Sequence, residues 1–497
     1  MRSRLPKVAH SVAGRAMLEH ALRAAAGAVT PAVSQDDPSA GDDGSDHRHR
    51  QPSPGGPFAV VVGHEAEAVR AAVRWEPPRG SLIYYVIQEQ QLGTGHAVRI
   101  AQEAMTAGAS SPETILVTYG DTPLTRPETL RRLLLEHERA AATLTFLTGL
   151  TNEPGEYGRV LRDGAGRVTG IVEARHATPE QAAIREVNSG VYAFDAAWLW
   201  SRLNLLTPHP NGEYYLTDLA DIAVAEGQTV ATLNVAMEET MGVNDRVALA
   251  EAERIMRQRI LREHMLGGVT IEDPATTYIE ASVTIGQDTV IRPGCALRGA
   301  TTIGAGCEIG PQSVIRDSQI GDECQVYASW VEEAVMERGS RIGPMSHLRA
   351  GARLMPGAFL GNFAEVKNSV IGEGVDMHHF SYIGDATVGA HTNIGAGAIT
   401  MNYDGQRKSH TEIGERVFIG CDTLLRAPVT VGNGASTGGG AVVTRDVPPG
   451  ALVVGMPARM ARRVRSVRPD QANDAGEETG GDQADKPPSA RPGAERE

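Results

Sequence analysis

Apolar residues follow three different rhythms along this chain. From residue 58 to 150, apolar runs alternate with amphipathic stretches. FAVVVGH (58–64), LIYYVIQ (82–88), TILVTYGD (114–121) and TLTFLTGL (143–150) read as strands. Helices are predicted over 65–74, after the glycine-bearing turn LGTGHA (92–97), and over 126–140. Strands alternating with helices of this length predict a Rossmann-like α/β domain with a mainly parallel sheet. Ligands of such sheets bind beyond the carboxyl ends of the strands, where Gln88 and Tyr119-Gly120-Asp121 fall. An alanine-rich helix is predicted over 15–28. RVALAEAERIMRQRILREHML (246–266) has apolar residues three and four apart, so it reads as a long amphipathic helix stopped by Gly267-Gly268.

From about residue 283 the rhythm becomes six. Ile285, Ile291, Leu297, Ile303, Ile309 and Ile315 keep strict register. A second run passes through Ile342, Leu348, Leu354, Leu360 and Val366, and a third through Ile413, Ile419, Leu425 and Val431 to Val443. Many of these positions are followed by glycine. Hexapeptide repeats specify a parallel β-helix of triangular cross-section, with one short strand per hexad and an aliphatic residue pointing inward. A single coil cannot bury that residue alone, so coils must stack.

Composition refines the picture. The 497 residues allow two or three domains. Aromatics at 4% and 56 glycines suit narrow repeating coils. A formal charge of -14 excludes non-specific nucleic-acid binding, which needs a basic face. Part of that charge sits in the polar, Pro/Gly/Ser-rich insert at 31–57 and the acidic tail at 466–497, both of which read as disordered. Cys295, Cys307, Cys324 and Cys421 form no CxxC pair and no zinc spacing, which fits reduced thiols of a cytoplasmic protein. No apolar run reaches the roughly 18 residues that span a membrane. The basic start MRSRLPKVAHSVAGRAML superficially mimics a transit peptide.

The stretch 371–404, IGEGVDMHHFSYIGDATVGAHTNIGAGAITMNYD, joins the repeat to a dense polar cluster. His378, His379, Tyr382, Asn393, Asn402 and Tyr403 punctuate the aliphatic-glycine pairs, which suggests a site rather than a plain core. Adjacent histidines on a strand would point to opposite faces, so only one of them could serve that site.

A set of ordered motifs resembles one family. In the first half these are LPKVAHSVAGRAML, QEQQLGTGHA, YGDTPL, GEYGRV, GIVEARHAT, EVNSGVY, GEYYLTD and MGVNDR. In the second half they are GPMSHLRAGA, GNFAEVKNSVIGEG, HHFSYIGDATVG, NIGAGAITMNYDG and FIGCDT. The chain resembles the bifunctional bacterial N-acetylglucosamine-1-phosphate uridyltransferase and glucosamine-1-phosphate acetyltransferase family, from residue 1 to about 460. The resemblance implies a nucleotidyltransferase domain over 1–245, a linker helix over 246–267 and a left-handed parallel β-helix over 268–465. It also implies a cytoplasmic homotrimer with the acetyltransferase site between subunits, supplying peptidoglycan synthesis. Its partners would be small molecules (glucosamine 1-phosphate, acetyl-CoA and UTP), with no nucleic acid and no membrane insertion.

For nucleotidyl transfer, the resemblance implies that Asp121 and Asn244 hold Mg2+ and that Lys7 contacts phosphate. Gln88, Gly93 and Thr94 fall on uracil-side contacts. Tyr119 belongs to the YGD motif, and Gly120, Gly158, Glu173 and Asn188 match positions that hold sugar and ribose. By themselves Glu173 and Asn188 would read as surface residues. In this family a strand and an LAAGxGTRM loop open the chain, and Met1 falls where that loop should end. The expectation is a domain lacking its first strand, through a start codon assigned too late or through loss of the first activity; the intact remaining motifs favour the former.

For acetyl transfer, the family pattern selects His379 as the base that deprotonates the sugar amine, a task suited to an imidazole near neutral pH, with Glu365 as a partner that could orient it. Arg349, Lys367, Tyr382 and Asn393 match the sugar-phosphate pocket, and Lys408 adds a further cation. Ala396, Asn402, Tyr403, Cys421 and Gly439 match acetyl-CoA contacts, with Met456 or Arg459 at the last position. Cys421 stands where the family often has serine, and Gly439 where it often has alanine. Three other readings compete: acetyltransferase activity alone, a non-catalytic repeat protein, and a zinc site built from His378, His379 and His391. The phosphate-binding residues around those histidines fit zinc poorly.

Overall fold

The computed structural model describes residues 1–29, 56–63, 65–106 and 112–463. The expected tail at 466–497 and nearly all of the insert at 31–57 lie outside the described residues. The chain folds as two compact units, one over 1–357 with 361–363, the other over 358–360 with 364 onward.

The first unit begins with a small hairpin, β1 (Ser11–Val12) and β2 (Arg15–Ala16), whose tight turn places Ala13 and Gly14 at positive φ. Helix α1 (Met17–Val29) follows, then β3 (Phe58–Val62), α2 (Ala66–Ala72), β4 (Ile83–Ile87), α3 (Thr94–Thr106) and β5 (Thr114–Val117). Beyond them come α4 (Pro127–Arg139), β6 (Leu144–Leu150), β7 (Arg159–Arg162), β8 (Val168–Val172), β9 (Glu186–Asp195) and β10 (Val230–Val235). The elements expected from the apolar runs are all present, most of them displaced by a residue or two, while the strand expected over 114–121 ends at Val117. Strands β3 and β4 pair in parallel, as do β6 and β10. The long β9 runs antiparallel to β5, β6 and β7, an inserted direction that the apolar pattern does not reveal. The core forms where β6 and β9 carry Phe146, Tyr192 and Phe194 against Leu199, Leu216 and Leu219.

The sheet is in two pieces. Strand β3 pairs only with β4, and β5 only with β9, so among the described residues each keeps one unpaired edge. Both edges line the same large cavity.

The long helix spans Arg246–Leu266, as its periodicity predicts. Asp245 caps its first turn by accepting from the Ala248 amide, and the Gly267 amide closes its end on Glu263. The coils then begin. Strands Thr270–Ile271, Val290–Ile291, Glu308–Ile309, Gln325–Val326 and Arg341–Ile342 stack in parallel as one face, with two further faces built the same way. The hexad aliphatics point inward: Ile291, Leu297, Ile309 and Ile315 are fully buried. Between the first two runs the strict six fails, yet the core continues through Ile320, Val326, Val331 and Met336. There some corners are shortened by one residue, with Asp317, Ala328 and Glu333 in the left-handed region. A five-residue spacing thus still closes a coil, which is why the periodicity read from sequence lapses there. In the second unit the same stacking carries Leu360, Val366, Ile371, Met377, Ile383, Val388 and Ile394 inward.

Cys295, Cys307 and Cys324 are buried in coil corners, and burial pushes their thiols up, Cys307 to about 11. Burial and a raised thiol both disfavour the reactive thiolate at these three positions.

Because each inward aliphatic is packed from the coils on both sides, truncation leaves a void that cannot collapse. Ile309→Ala is expected to lower stability by about 2–5 kcal/mol, read from urea or thermal unfolding.

Candidate active sites

Eleven residues were expected at the nucleotide site: Lys7, Gln88, Gly93, Thr94, Tyr119, Gly120, Asp121, Gly158, Glu173, Asn188 and Asn244. All of them line one cavity of about 1210 Å3 in the first unit. Residues following β4 and β5 meet there, so the carboxyl ends of those strands open on the same space. Gln88 donates to the Gly93 carbonyl at 3.2 Å and meets His96 Nδ1 at 2.9 Å. The Thr94 hydroxyl accepts the Leu216 amide, tying the start of α3 to the GEYYLTD segment. Gly93 has φ +92, and a Cβ there would lie 2.6 Å from the Tyr214 carbonyl, so the turn requires glycine.

Deeper in, the Tyr119 ring packs under Gly190, where a Cβ would come within 2.1 Å of it. Burial, then the Glu173 and Asp121 carboxylates, push the Tyr119 phenol well above its usual range, against a hydrogen bond with Thr94. Asn188 is buried on β9, donating to the Tyr192 hydroxyl at 2.7 Å and accepting the Gly190 amide. Its surface reading is therefore corrected: strand β9 turns it inward, and tertiary packing makes it polar lining. Glu173 is half-buried and accepts from Thr217 at 2.8 Å.

Lys7 Nζ lies 2.5 Å from Asp121 Oδ2 and 2.8 Å from Asn244 Oδ1. Two hard oxygens from distant segments thus converge on one cationic point. That donor set fits a magnesium ion, which takes one or two protein oxygens and completes its shell with water and phosphate. Among the described residues no group of three or more His, Cys, Asp or Glu could hold a metal, so the zinc reading of His378, His379 and His391 finds no support.

In the second unit, the pairings Asp376–Asn393, Asn393–Phe418 and Phe418–Ser436 fix the coil register. Carried three residues on, that register sets His379, Ala396, Cys421 and Gly439 at one corner in four successive coils. Neighbouring coils are about 4.8 Å apart, so the corner makes a straight track. The pairing Ser436–Leu452 extends it to Gly455, beside the exposed Met456, and Arg459 opens the final strand. A Cβ at Gly439 would meet only the Cys421 carbonyl, at 3.6 Å, so alanine also fits.

His378 and His379 are not on a strand. They follow the strand Asp376–Met377 at the corner, both exposed, with ring centroids 6.4 Å apart. Strand alternation therefore does not separate them; the corner does. His378 lies edge-on to Phe359, with ring centroids 4.9 Å apart, and 3.6 Å from Asp376, whereas His379 joins the track. Tyr382 sits in register with Glu365 one coil before, and Lys367 with Gly384. Asn393 is half-buried. Arg349 belongs to the first unit, half-buried just after the strand His347–Leu348.

The segment from Asn402 to Ser409 leaves the coil as a loop, closed by the Tyr403–Lys408 bridge and the Ser409 amide on the Asn402 carbonyl. Tyr403 is exposed and its hydroxyl donates to the Gly405 carbonyl, while Asn402 is buried. Asp385, which holds Asn402 Nδ2 at 2.5 Å, and His96 were not singled out from sequence. Asp385 stands in the quoted motif HHFSYIGDATVG, but no spacing rule marks it.

Fold and sites together define a transferase joining a nucleotidyltransferase domain to a hexapeptide-repeat solenoid. Residues 57–238 match the nucleotidyl transferase family model. Residues 282–317 and 410–445 match the model of the bacterial transferase hexapeptide of six repeats. The chain is similar to the bifunctional protein GlmU of Mycolicibacterium vanbaalenii, 45% identical over 457 residues, or 91% of this chain and 87% of the relative. It is 46% identical to that of Nocardia farcinica over 91% of this chain and 87% of the relative. It is 42% identical to that of Pelobacter propionicus over 94% and 95%. The chain belongs to the family of bifunctional GlmU proteins.

Of the four cysteines only Cys421 is exposed. Brief iodoacetamide treatment of the folded protein is expected to add one label at Cys421, and four labels after unfolding, counted by mass spectrometry.

Proposed function

We propose that this chain makes UDP-N-acetylglucosamine in two steps, acetyl transfer followed by uridylyl transfer. The observation that carries the reading is the corner track: an exposed imidazole at one end and small residues at the next three positions. An extended acyl carrier can lie along such a track with its thioester near His379.

In the first reaction, the amine nitrogen of glucosamine 1-phosphate attacks the thioester carbon of acetyl-CoA. His379 takes the proton from that nitrogen, the C–S bond breaks, and the proton passes to the departing CoA sulfur. Arg349, Lys367, Tyr382 and Asn393 hold the sugar phosphate, with Lys408 as a further cation and Glu365 orienting the base. Ala396, Asn402, Tyr403, Cys421, Gly439 and Met456 contact acetyl-CoA. Cysteine in place of serine at Cys421 leaves a weaker hydrogen-bond donor there.

In the second reaction, a phosphate oxygen of N-acetylglucosamine 1-phosphate attacks the α-phosphorus of UTP, and the bond to pyrophosphate breaks. Lys7 bears on phosphate, Gln88, Gly93 and Thr94 receive the uracil, and Tyr119, Gly120, Gly158, Glu173 and Asn188 hold sugar and ribose. Asp121 and Asn244 are the residues for Mg2+, which when bound offsets charge on the phosphates. We assign this reaction to residues 1–245 and the first to 268–465, joined by the helix over 246–267. The working form is a cytoplasmic homotrimer. Exposed Phe380, Ile399, Met401 and Phe418 in the second unit are apolar surface of the kind another subunit covers.

A second reading, acetyl transfer alone, is favoured by the edges of β3 and β5 at the nucleotide cavity, which are unpaired among the described residues. Separate assays of the purified chain decide between them. UDP-sugar formation from UTP and N-acetylglucosamine 1-phosphate supports two activities; its absence alongside acetyl transfer supports one.

His379→Ala is expected to lower kcat of acetyl transfer by about 10²–10⁴-fold with an unchanged melting temperature. A folded variant with wild-type kcat would remove His379 from the role of base; no acetyl transfer from the wild-type chain would instead favour a non-catalytic repeat.

A further inference from the structure

Asp385 has no part in either reaction as described, yet both its carboxylate oxygens are held at the base of the loop of the second unit. Its backbone sits at φ +48, a conformation that aspartate and asparagine tolerate better than most residues. Its amide donates to the Lys367 carbonyl and its carbonyl accepts from the Thr411 amide, both at 3.1 Å. Neighbouring coils on both sides therefore fix where the side chain starts.

Both carboxylate oxygens are used. Oδ1 accepts from Asn368 Nδ2 at 2.6 Å, and Oδ2 from Asn402 Nδ2 at 2.5 Å. Partial burial works against the charged form, but the Asn368 and Asn402 amides and the Lys408 and Lys367 ammonium groups outweigh it, holding the carboxyl below its usual range. An ionised carboxylate can only accept hydrogen bonds. It therefore holds the NH2 group of Asn402 toward itself and leaves the carbonyl oxygen Oδ1 as the end of the amide that Asp385 does not engage. A free asparagine amide could present either end.

We propose that Asp385 is a positioning residue for the acyl carrier: it locks the Asn402 amide so that its oxygen accepts from an N–H of bound CoA. The amides of the pantetheine arm supply such donors. The inference rests on Asn402 contacting acetyl-CoA, and it explains why a buried asparagine at the base of an exposed loop should hold one orientation.

The test is the dissociation constant of CoA for the full chain, measured by calorimetry, with KM for acetyl-CoA and kcat alongside. Asp385→Gly removes the carboxylate and accepts the positive φ without strain. It is expected to raise the CoA dissociation constant and KM about tenfold, with kcat at saturation within about threefold of wild type. Asp385→Asn, which keeps the shape and one acceptor oxygen, should lose less. Asn402→Ala should weaken binding as much as Asp385→Gly, and the double variant no more than Asn402→Ala alone. Asn368→Ala removes the outer hydrogen bond and should leave CoA binding within about twofold, which separates positioning from local stability. If Asn402→Ala weakens CoA binding while neither Asp385 variant does, or if the effects multiply in the double variant, the inference is overturned. If Asn402→Ala leaves CoA binding unchanged, the assignment of Asn402 to acetyl-CoA is wrong and the inference falls with it.

Discussion

Each solenoid coil has one inward aliphatic residue per face and cannot bury it without a coil above and below. Backbone ladders such as Ile291–Ile309 and Val326–Ile342 lock those coils in register. Once the register is locked, a corner position recurs at a fixed rise, and any side chain there becomes one member of a row. The track from His379 to Gly439 is a consequence of that constraint. Glycines beside it are required by the same stacking: a Cβ at Gly395 would come 2.7 Å from the Cys421 amide nitrogen, and one at Gly420 within 2.6 Å of the Thr437 carbonyl.

The nucleotide site is built on a different principle. Strand ends converge on a cavity, and the decisive contacts join segments far apart in sequence, as Lys7 does with Asn244. A lysine ammonium that bridges a carboxylate and an amide oxygen balances the charge of Asp121 and defines the spot where two oxygens meet. In the same cavity the ring of half-buried Tyr119 packs under Gly190. The loop at Asn402 follows yet another rule. At the base of its excursion, Asp385 holds Asn402 from the coil before.

Legibility in the sequence followed the length scale of the signal. The hexad runs, the helix over 246–266 and the alternating strands before residue 150 were readable, because burial repeats with a local period. The lapse between Ile315 and Ile342 hid four core residues, since a corner shortened by a left-handed residue such as Asp317 breaks the count without breaking the coil. The direction of β9 was not readable, because an antiparallel insertion carries the same apolar pattern as a parallel strand. The alternation rule that separates adjacent residues on a strand does not hold for the histidine pair, which sits at a corner. Glu173 and Asn188 could be singled out only through resemblance, as neither lies in a pattern that reports burial.

By itself, then, the sequence determined the fold class, the family and the residue types available for chemistry, because hexad periodicity and motif order are local and survive in one dimension. Only the tertiary structure decided that His379, Ala396, Cys421 and Gly439 share one corner, that Lys7 lies between Asp121 and Asn244, and that Asp385 sets the amide of Asn402. Those relations depend on coil register and on which strand ends converge, and both are fixed by backbone pairing across stretches of chain that no local pattern spans.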